Sequence, residues 1–296
     1  MSGQVLSARE ESDHWFTGSF PYERSCSEFY DEGDGGEEFG EWTDDPVLEP
    51  AKADALSWFK QHPTEVFYGR QIEVILEKRY FHWVTHKALR ELTNEAAISS
   101  EVRKTQNGNP IRFYWWRGNR YPKRAVAKLL KEVEEHSRPD ITRAIGGHAE
   151  SVFGFAASRA GFNVIGPNVK SYRGKEWTIS EHDFDWIFER DGIGWAVEIK
   201  NSWAYIDKTE METKVWIAQY LGIRPLFIMR WAPKHYIQII RRDGFALLYQ
   251  DQYFPFGHTE AVERLKGLGL PVLATREVQP GVFERFVRWH EQLVKK

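Results

Sequence analysis

The chain has 296 residues, of which 42% are hydrophobic and 15% aromatic, so it is long enough to bury one large core or two ordinary ones. Its single cysteine, Cys26, excludes an internal disulfide framework and a cysteine-built zinc site. No apolar run reaches the roughly 18 residues that span a membrane, and the N-terminus lacks a signal-peptide pattern, which predicts a soluble, cytoplasmic protein.

The net charge of -3 conceals two oppositely charged segments. Residues 1–50 contain 14 acidic side chains and two basic ones, and this acidic, glycine-rich stretch predicts an N-terminal arm. Residues 78–131 contain 13 lysines and arginines against three glutamates. A basic segment inside a nearly neutral chain is typical of a protein that binds a polyanion such as DNA. The alternative is an ordinary solvated surface.

The predicted helices begin after the acidic arm. Residues 51–62 have apolar side chains at helical spacing and end before Pro63, and residues 69–94 predict two further short helices. The second of these, over residues 83–94, is predicted to turn one face to a core and the other to solvent. The predicted core residues are Trp83, Ala88, Leu89 and Leu92, and the predicted outer residues are Thr85, His86, Lys87, Arg90 and Glu91.

Two strands, 97–104 and 111–116, flank a loop with Asn107 and Gly108, which predicts a β-hairpin. Three helices followed by a hairpin over residues 52–120 resemble a winged helix-turn-helix. The resemblance implies that the 83–94 helix enters the major groove of duplex DNA and that the hairpin lies along the backbone or minor groove. The expected DNA contacts are Thr85, His86, Lys87, Arg90, Arg103, Lys104, Arg112, Arg117 and Arg120. A winged helix used for protein contact or dimerisation is the alternative.

A helix over residues 125–136 is predicted to join this module, residues 51–136, to a second one, with the boundary at 137–147. Residues 146–296 alternate helical patterns with apolar strands, which indicates a mixed α/β sheet with helices on both faces. The helices are predicted at 148–162, 208–222 and 283–294, and the strands at 163–170, 183–188, 194–200, 224–231 and 270–278.

Two of these strands carry charges, although burying a charge costs several kcal/mol unless it is paired or bound to a metal. Residues two apart on a strand share a face, so Glu198 and Lys200 point away from their apolar neighbours, and Asp183 and Asp185 point away from Phe184, Trp186 and Phe188. A hairpin would bring Asp185 beside Glu198 and Lys200. Two carboxylates and an ammonium suit a Mg²⁺ ion that orients a phosphodiester and activates water.

Asp185, followed after twelve residues by Glu198-Ile199-Lys200, resembles the signature of the PD-(D/E)xK, or restriction-endonuclease-like, nuclease superfamily. The order of elements over residues 146–231 is similar to the core of that family. The resemblance implies that Asp185 and Glu198 bind Mg²⁺ or Mn²⁺, that Lys200 is catalytic, and that Glu150 adds an acidic group from the preceding helix. Phe184 stands where the family often has proline, which leaves Asp183 as an alternative or second metal ligand.

The predicted fold is therefore α/β, with a mixed-sheet restriction-endonuclease-like core preceded by a mainly helical winged-helix domain. A second (D/E)xK triplet, residues 212–214, falls in a predicted helix and is interpreted as a solvated face. Asn201 and Ser202, which follow Lys200, are candidates for contacts with phosphate.

The predicted function is that of a Mg²⁺-dependent DNA endonuclease of restriction type or otherwise site-directed. A homodimer is the default expectation, because duplex cleavage needs two cuts. Two alternatives stay open: a structure-specific repair or Holliday-junction-type nuclease, and a non-catalytic DNA-binding or regulatory protein.

Overall fold

The computed structural model describes residues 46–295, so Cys26 and nearly all of the predicted acidic arm lie outside the described residues. The described chain begins with three helices and a small antiparallel sheet in which β3 lies between β1 and β2. The elements are α1 (Leu48–Gln61), β1 (Val66–Tyr68), α2 (Gly69–Leu76), α3 (His82–Asn94), β2 (Ile98–Lys104) and β3 (Pro110–Trp116). The three helices follow the predicted order, and β1 is an addition to it.

The predicted hairpin is confirmed. Its five-residue loop closes through a hydrogen bond of 2.9 Å from the amide of Thr105 to the carbonyl of Asn109. Gly108 has φ +83°, which a side chain would oppose, so the Asn-Gly pair that predicted the turn also supplies the backbone freedom it needs.

The orientation predicted for α3 is wrong at two residues. Thr85 is fully buried, whereas Trp83 is 36% exposed. The residues at positions 85, 88, 89 and 92 form the helical stripe that packs against α1 and α2. Trp83 lies on the opposite side of the helix from that stripe. Helical periodicity, rather than the hydrophobicity of the largest side chain, decides which face is buried.

Most of the predicted boundary at 137–147 lies within a helix, because only residues 137 and 138 separate two helices. Helix α4 (Pro122–His136) is followed after two residues by α5 (Pro139–Arg159), which runs through the Gly146-Gly147 pair. Proline is well suited to the first turn of a helix, where its missing amide hydrogen costs no hydrogen bond. Pro139 therefore begins α5 instead of breaking a helix.

A five-stranded mixed sheet forms the second part of the described chain, in the order β10-β9-β8-β7-β4. Strands β8, β9 and β10 are parallel, and β7 is antiparallel to both β8 and β4. The elements are β4 (Asn163–Ile165), a small hairpin of β5 (Ser171–Tyr172) and β6 (Lys175–Glu176), β7 (Trp186–Arg190), β8 (Ile193–Lys200), α6 (Lys208–Leu221), β9 (Arg224–Met229), α7 (Lys234–Arg241) and β10 (Phe245–Leu248).

The chain continues into a parallel two-stranded sheet and two helices. These are β11 (Gln252–Phe254), a short 3₁₀ helix (Phe256–His258), α8 (Thr259–Gly267), β12 (Val272–Ala274) and α9 (Val282–Val294). The sequence predicts no element between residues 232 and 269, where α7, β10, β11 and α8 lie.

Helices cover both faces of the five-stranded sheet, as predicted. Helices α5 and α9 pack against the face that carries Trp195 and Val197, and α6 and α7 pack against the other face. Phe184 was expected to share a face with Phe188, but it packs with Ile187 on the α6 side. The reason is that β7 begins only at Trp186, so strand alternation does not extend back to Phe184.

The two predicted modules share a hydrophobic core. One cluster joins Phe113 and Trp115 of β3 and Val126 of α4 to Phe254 and Leu265 near the C-terminus. A hydrogen bond of 2.8 Å from the amide of the Gln71 side chain to the carbonyl of Leu268 crosses the same boundary. The described residues therefore belong to one compact unit. Of the helices formed by residues 46–295, none has both the length and the apolar character needed to cross a membrane.

Candidate active site

The candidate site lies at the carboxyl end of β8, next to the start of β7. The turn between these strands places Asp191 and Gly192 at φ values of 55° and 75°, the left-handed conformations of a tight hairpin. Trp186 pairs with Val197, so the next register position sets Asp185 opposite Glu198. The amide of Ile199 donates a hydrogen bond of 2.6 Å to Oδ2 of Asp185, which anchors this carboxylate between Glu198 and Lys200.

Glu198 is 3% exposed and is held by two lysines. Lys200 Nζ lies 2.9 Å from Oε1 of Glu198 and also 2.9 Å from Oε1 of Glu210 on α6. Lys214, further along α6, donates to Oε2 of Glu198. The side chain of Asp207 caps α6 by accepting a hydrogen bond of 2.9 Å from the amide of Glu210. The start of α6 is thereby fixed beside the strand that carries the predicted site.

The interpretation of residues 212–214 as a solvated face is wrong for Lys214. This side chain is only 7% exposed and lies on the face of α6 that also buries Met211, Ile217 and Ala218. Three of the four positions three and four residues away from Lys214 are therefore apolar and buried, and the fourth is Glu210. That helical pattern was present in the sequence and would have placed Lys214 on the buried face of α6.

Within residues 46–295, neither Glu150 nor Asp185 has a basic side chain within ion-pair distance, and both have raised pKa values. Burial and the neighbouring charge of Glu198 raise the pKa of Asp185 to about 7, although the amide of Ile199 partly offsets them. Burial, followed by the charge of Glu198, also raises the pKa of Glu150. Glu150 is a half-buried residue of α5. The structure thus brings three of the four predicted acidic ligands into one electrostatic cluster.

Lys200 remains protonated in this environment. Burial lowers its pKa, but the charges of Glu198 and Glu210 outweigh burial, so the pKa lies above its ordinary value. An ammonium in this state is poorly suited to remove a proton from water. It is well suited to offset negative charge on a phosphate, and its side chain is 32% exposed, so a ligand can reach it.

The charges of the cluster fit a divalent cation. When ionised, four carboxylates (Glu150, Asp185, Glu198 and Glu210) face two ammonium groups (Lys200 and Lys214), which leaves two negative charges unmatched. Oxygen donors are the ligands that Mg²⁺ prefers, and this ion needs only one or two carboxylates because it retains several waters. Within residues 46–295, no three acidic, histidine or cysteine side chains form a ready-made metal cage.

Asp183 does not join these contacts. Among the described residues, the hydrogen bonds and charges that link Asp185, Glu198 and Lys200 do not include it. Because Asp185 is the aspartate bound to β8, it is the better placed of the two candidate ligands.

Asn201 was a candidate for contact with phosphate, but in the structure its side chain is buried and binds other parts of the fold. Its side-chain amide donates to the carbonyls of Ile145 and Tyr253, at 3.1 and 2.7 Å. Its side-chain oxygen accepts from the hydroxyl of Tyr249 and the amide of Tyr253, at 3.0 and 2.8 Å. The side chain is buried with every donor and acceptor in use. Asn201 therefore ties the end of β8 to α5 and β11.

We expect Asn201→Ala to destabilise the protein by at least about 2 kcal/mol, because buried polar groups left without partners cost about 1–3 kcal/mol each. For a chain of this size the melting temperature should fall by roughly 4–8 °C. Thermal unfolding of Ser202→Ala, at the neighbouring half-buried position, is the control. A melting temperature within 1 °C of the wild type would contradict this role for Asn201.

The predicted DNA contacts divide between two faces of the hairpin. Arg90 of α3 and Arg112 of β3 line one cleft. Strand alternation places Lys104 and Arg112 on the face that carries Tyr114, which packs against α3. Arg103 lies on the opposite face, where it pairs with Glu101 at 2.7 Å.

The remaining predicted contacts differ in exposure. Thr85 is fully buried and therefore cannot reach DNA in this structure. His86 is exposed, with Nδ1 3.5 Å from the buried Glu73 carboxylate, and Lys87 is half-buried. Arg117 and Arg120 are exposed in the segment that follows β3. A basic surface on α3 and the adjoining hairpin face is thus present without Thr85 and Arg103.

Comparisons of the chain with models of protein families, with curated proteins and with solved structures find no match.

Proposed function

We propose that this protein is a Mg²⁺-dependent DNA endonuclease with a restriction-endonuclease-like catalytic core. The observation that carries the proposal is the contact of Asp185, just before β7, with the end of β8 that bears Glu198 and Lys200. Glu150 of α5 lies near enough to interact with them electrostatically. Apart from the small β5–β6 hairpin inserted between β4 and β7, the order α5, β4, β7, β8, α6, β9 is the helix, three strands, helix and strand expected of that core.

Asp185, Glu198 and Glu150 would hold the metal ion. Glu198 would have to release one of the two lysines, Lys200 and Lys214, that contact its two oxygens in this structure. When bound, a divalent ion orients a phosphodiester, lowers the pKa of an attacking water and offsets charge on the leaving oxygen. Lys200 would neutralise negative charge that develops on the phosphate, since its ammonium is protonated and accessible. Lys214 is buried, so it holds and neutralises Glu198 instead of contacting the substrate.

We propose that the segment from α1 to β3 is a winged helix that recognises duplex DNA and binds it through α3. The exposed Arg90 on α3, with Lys104 and Arg112 on the adjoining hairpin face, supports this proposal. Phosphate contacts position such a module, and contacts to base edges provide its sequence preference. The protein would act inside the cell as a homodimer, in which each subunit cuts one strand of the duplex at a recognised site.

The test is cleavage of supercoiled plasmid and of branched DNA in Mg²⁺ or Mn²⁺, with EDTA as the metal-free control. We expect cleavage that needs the metal and falls at least about 100-fold in Glu198→Gln, because the reaction loses a metal-binding charge. Discrete plasmid fragments would indicate site-directed cleavage, and preference for the branched substrate would indicate a structure-specific nuclease.

Glu212→Gln is the matched control for Glu198→Gln. Glu212 begins the second (D/E)xK triplet, but its side chain is 49% exposed and 4.0 Å from Lys208. We expect this variant to cut DNA as the wild type does. If the wild type cuts no substrate yet binds DNA in a salt-dependent manner, the protein is a non-catalytic DNA-binding protein, and the cluster at β8 is a structural ion-pair network.

A further inference from the structure

The charged residues of helix α4 are distributed along it in the order that destabilises a helix, with basic residues near the N-terminus and acidic residues near the C-terminus. The first turn contains Lys123 and Arg124 and no acidic residue, whereas Glu134 and Glu135 lie near the C-terminus. The helix dipole favours the reverse arrangement, with acidic groups at the start and basic groups at the end. A charge pattern that opposes local stability is typical of a surface retained for binding.

Three basic side chains form an exposed stripe along α4. Arg124, Lys128 and Lys131 are spaced four and three residues apart, and they lie opposite Val126 and Leu129, which enter the shared core. Like charges at this spacing repel one another and weaken the helix. Over residues 46–295, none of the three basic groups lies within ion-pair distance of a carboxylate.

The acidic groups of the same helix, in contrast, all have partners. Glu132 and Glu135 bind Arg264 of α8 at 3.0 and 2.9 Å. Glu134 accepts a hydrogen bond of 2.8 Å from the amide of Gln106 in the hairpin loop. The acidic groups of α4 therefore serve the fold, whereas its basic stripe is directed to solvent.

Helix α5 extends the same chain segment towards the carboxylate cluster. Arg143, Gly147 and Glu150 lie on one face of α5, four and three residues apart, and Arg143 is exposed. A methyl group added at Gly146 or Gly147 would meet nothing within 4 Å, so packing does not explain these glycines. Glycine inside a helix lowers stability, but it allows another backbone to approach closely.

We propose that α4 and the first half of α5 bind the phosphate backbone of the DNA substrate and lead it to Glu150. This surface is separate from α3, because α4 packs against the hairpin face opposite the one that contacts α3. The stripe from Arg124 to Lys131 is about 10 Å long at 1.5 Å per residue, comparable to three nucleotides of one strand at about 3.4 Å each. The delivery of DNA to Glu150 rests on the proposed nuclease function.

The test compares the full chain with the variant Arg124→Gln/Lys128→Gln/Lys131→Gln. The matched control is Lys60→Gln/Arg242→Gln/Arg288→Gln, which removes three exposed positive charges from α1, the end of α7 and α9. Binding to a fluorescent duplex is measured by anisotropy at several salt concentrations. We expect the α4 variant to bind about tenfold or more weakly at low salt, with a salt slope shallower by up to about 3, because each lost phosphate contact contributes about 0.9.

Thermal unfolding separates a binding role from a folding role. Removal of the repulsion along α4 should leave the melting temperature of the variant unchanged or raised. An affinity and a salt slope equal to those of the control variant would overturn the proposal. If the α4 variant loses affinity but the wild type cuts no DNA, the binding surface stands and the nuclease function fails. If the wild type cuts DNA and the α4 variant binds like the control, the nuclease function stands and the α4 binding surface fails.

A second variant, Gly146→Ala/Gly147→Ala, tests the part played by α5. Alanine favours the helix, so the melting temperature should rise. The added methyl groups should obstruct the backbone of the substrate, so DNA cleavage, or affinity for the duplex, should fall several-fold. A raised melting temperature with unchanged cleavage and affinity would exclude α5 from the surface.

Discussion

Replacement of Lys200 by methionine should slow DNA cleavage by about two to three orders of magnitude, the usual cost of removing a group that stabilises charge in a transition state. The ammonium lies 2.9 Å from both Glu198 and Glu210 and stays protonated, so its expected role is to offset charge on the phosphate. Methionine keeps the aliphatic length of the side chain without the charge. Single-turnover cleavage at saturating enzyme measures the chemical step apart from DNA binding.

Lys175→Met is the control for this substitution. Its ammonium donates a hydrogen bond of 3.2 Å to the carbonyl of Tyr220 at the far end of α6, so the variant loses a lysine contact with the same helix. We expect Lys175→Met to cut at the wild-type rate and Lys200→Met to bind duplex DNA within about twofold of the wild type, since one accessible charge is a small part of the phosphate-binding surface. If Lys200→Met cleaves DNA at the wild-type rate, Lys200 has no role in the reaction and serves only to balance the charge of Glu198.

Replacement of Arg230 by alanine should destabilise the protein by about 3–5 kcal/mol, because loss of one partner leaves a buried charge unpaired. Arg230 is 3% exposed, and its guanidinium contacts both oxygens of Glu77, one of them at 2.6 Å. It also donates to the carbonyl of Gln250 at 3.1 Å. The melting temperature, measured by calorimetry, should fall by roughly 6–20 °C for a chain of this size.

The double variant Glu77→Gln/Arg230→Met provides the comparison, since an apolar side chain and an uncharged amide leave no buried charge. It should lose less stability than Arg230→Ala alone. If Arg230→Ala melts within 2 °C of the wild type, the pair does not contribute to stability.

The Arg230–Glu77 pair also connects the proposed reading and cutting parts of the molecule. Glu77 accepts from Nε2 of His82, at 3.3 Å, and His82 is the first residue of α3. The ring of His82 stacks on Tyr205 at 4.1 Å, in the loop that follows β8. The start of the proposed reading helix is therefore packed directly against the segment that leaves the candidate active site.

Local patterns in the sequence determined much of the fold and the centre of the candidate site. Helices α1, α3, α5 and α6 and strands β8 and β9 follow from periodicity, because each element presents an apolar face with its own spacing. The meeting of Asp185 with Glu198 follows from strand alternation and from a turn only a few residues long. Such contacts need no knowledge of distant parts of the chain.

Only the tertiary structure decided which distant groups complete these patterns. Lys214 joins Glu198 because α6 packs across β8, and Asn201 finds its partners because α5 and β11 meet there. Thr85 is buried, and the two modules share one core, because the faces of separate elements pack against one another. These contacts depend on the free energy gained by burying whole faces across long sequence separations, which the local spacing of residues does not encode.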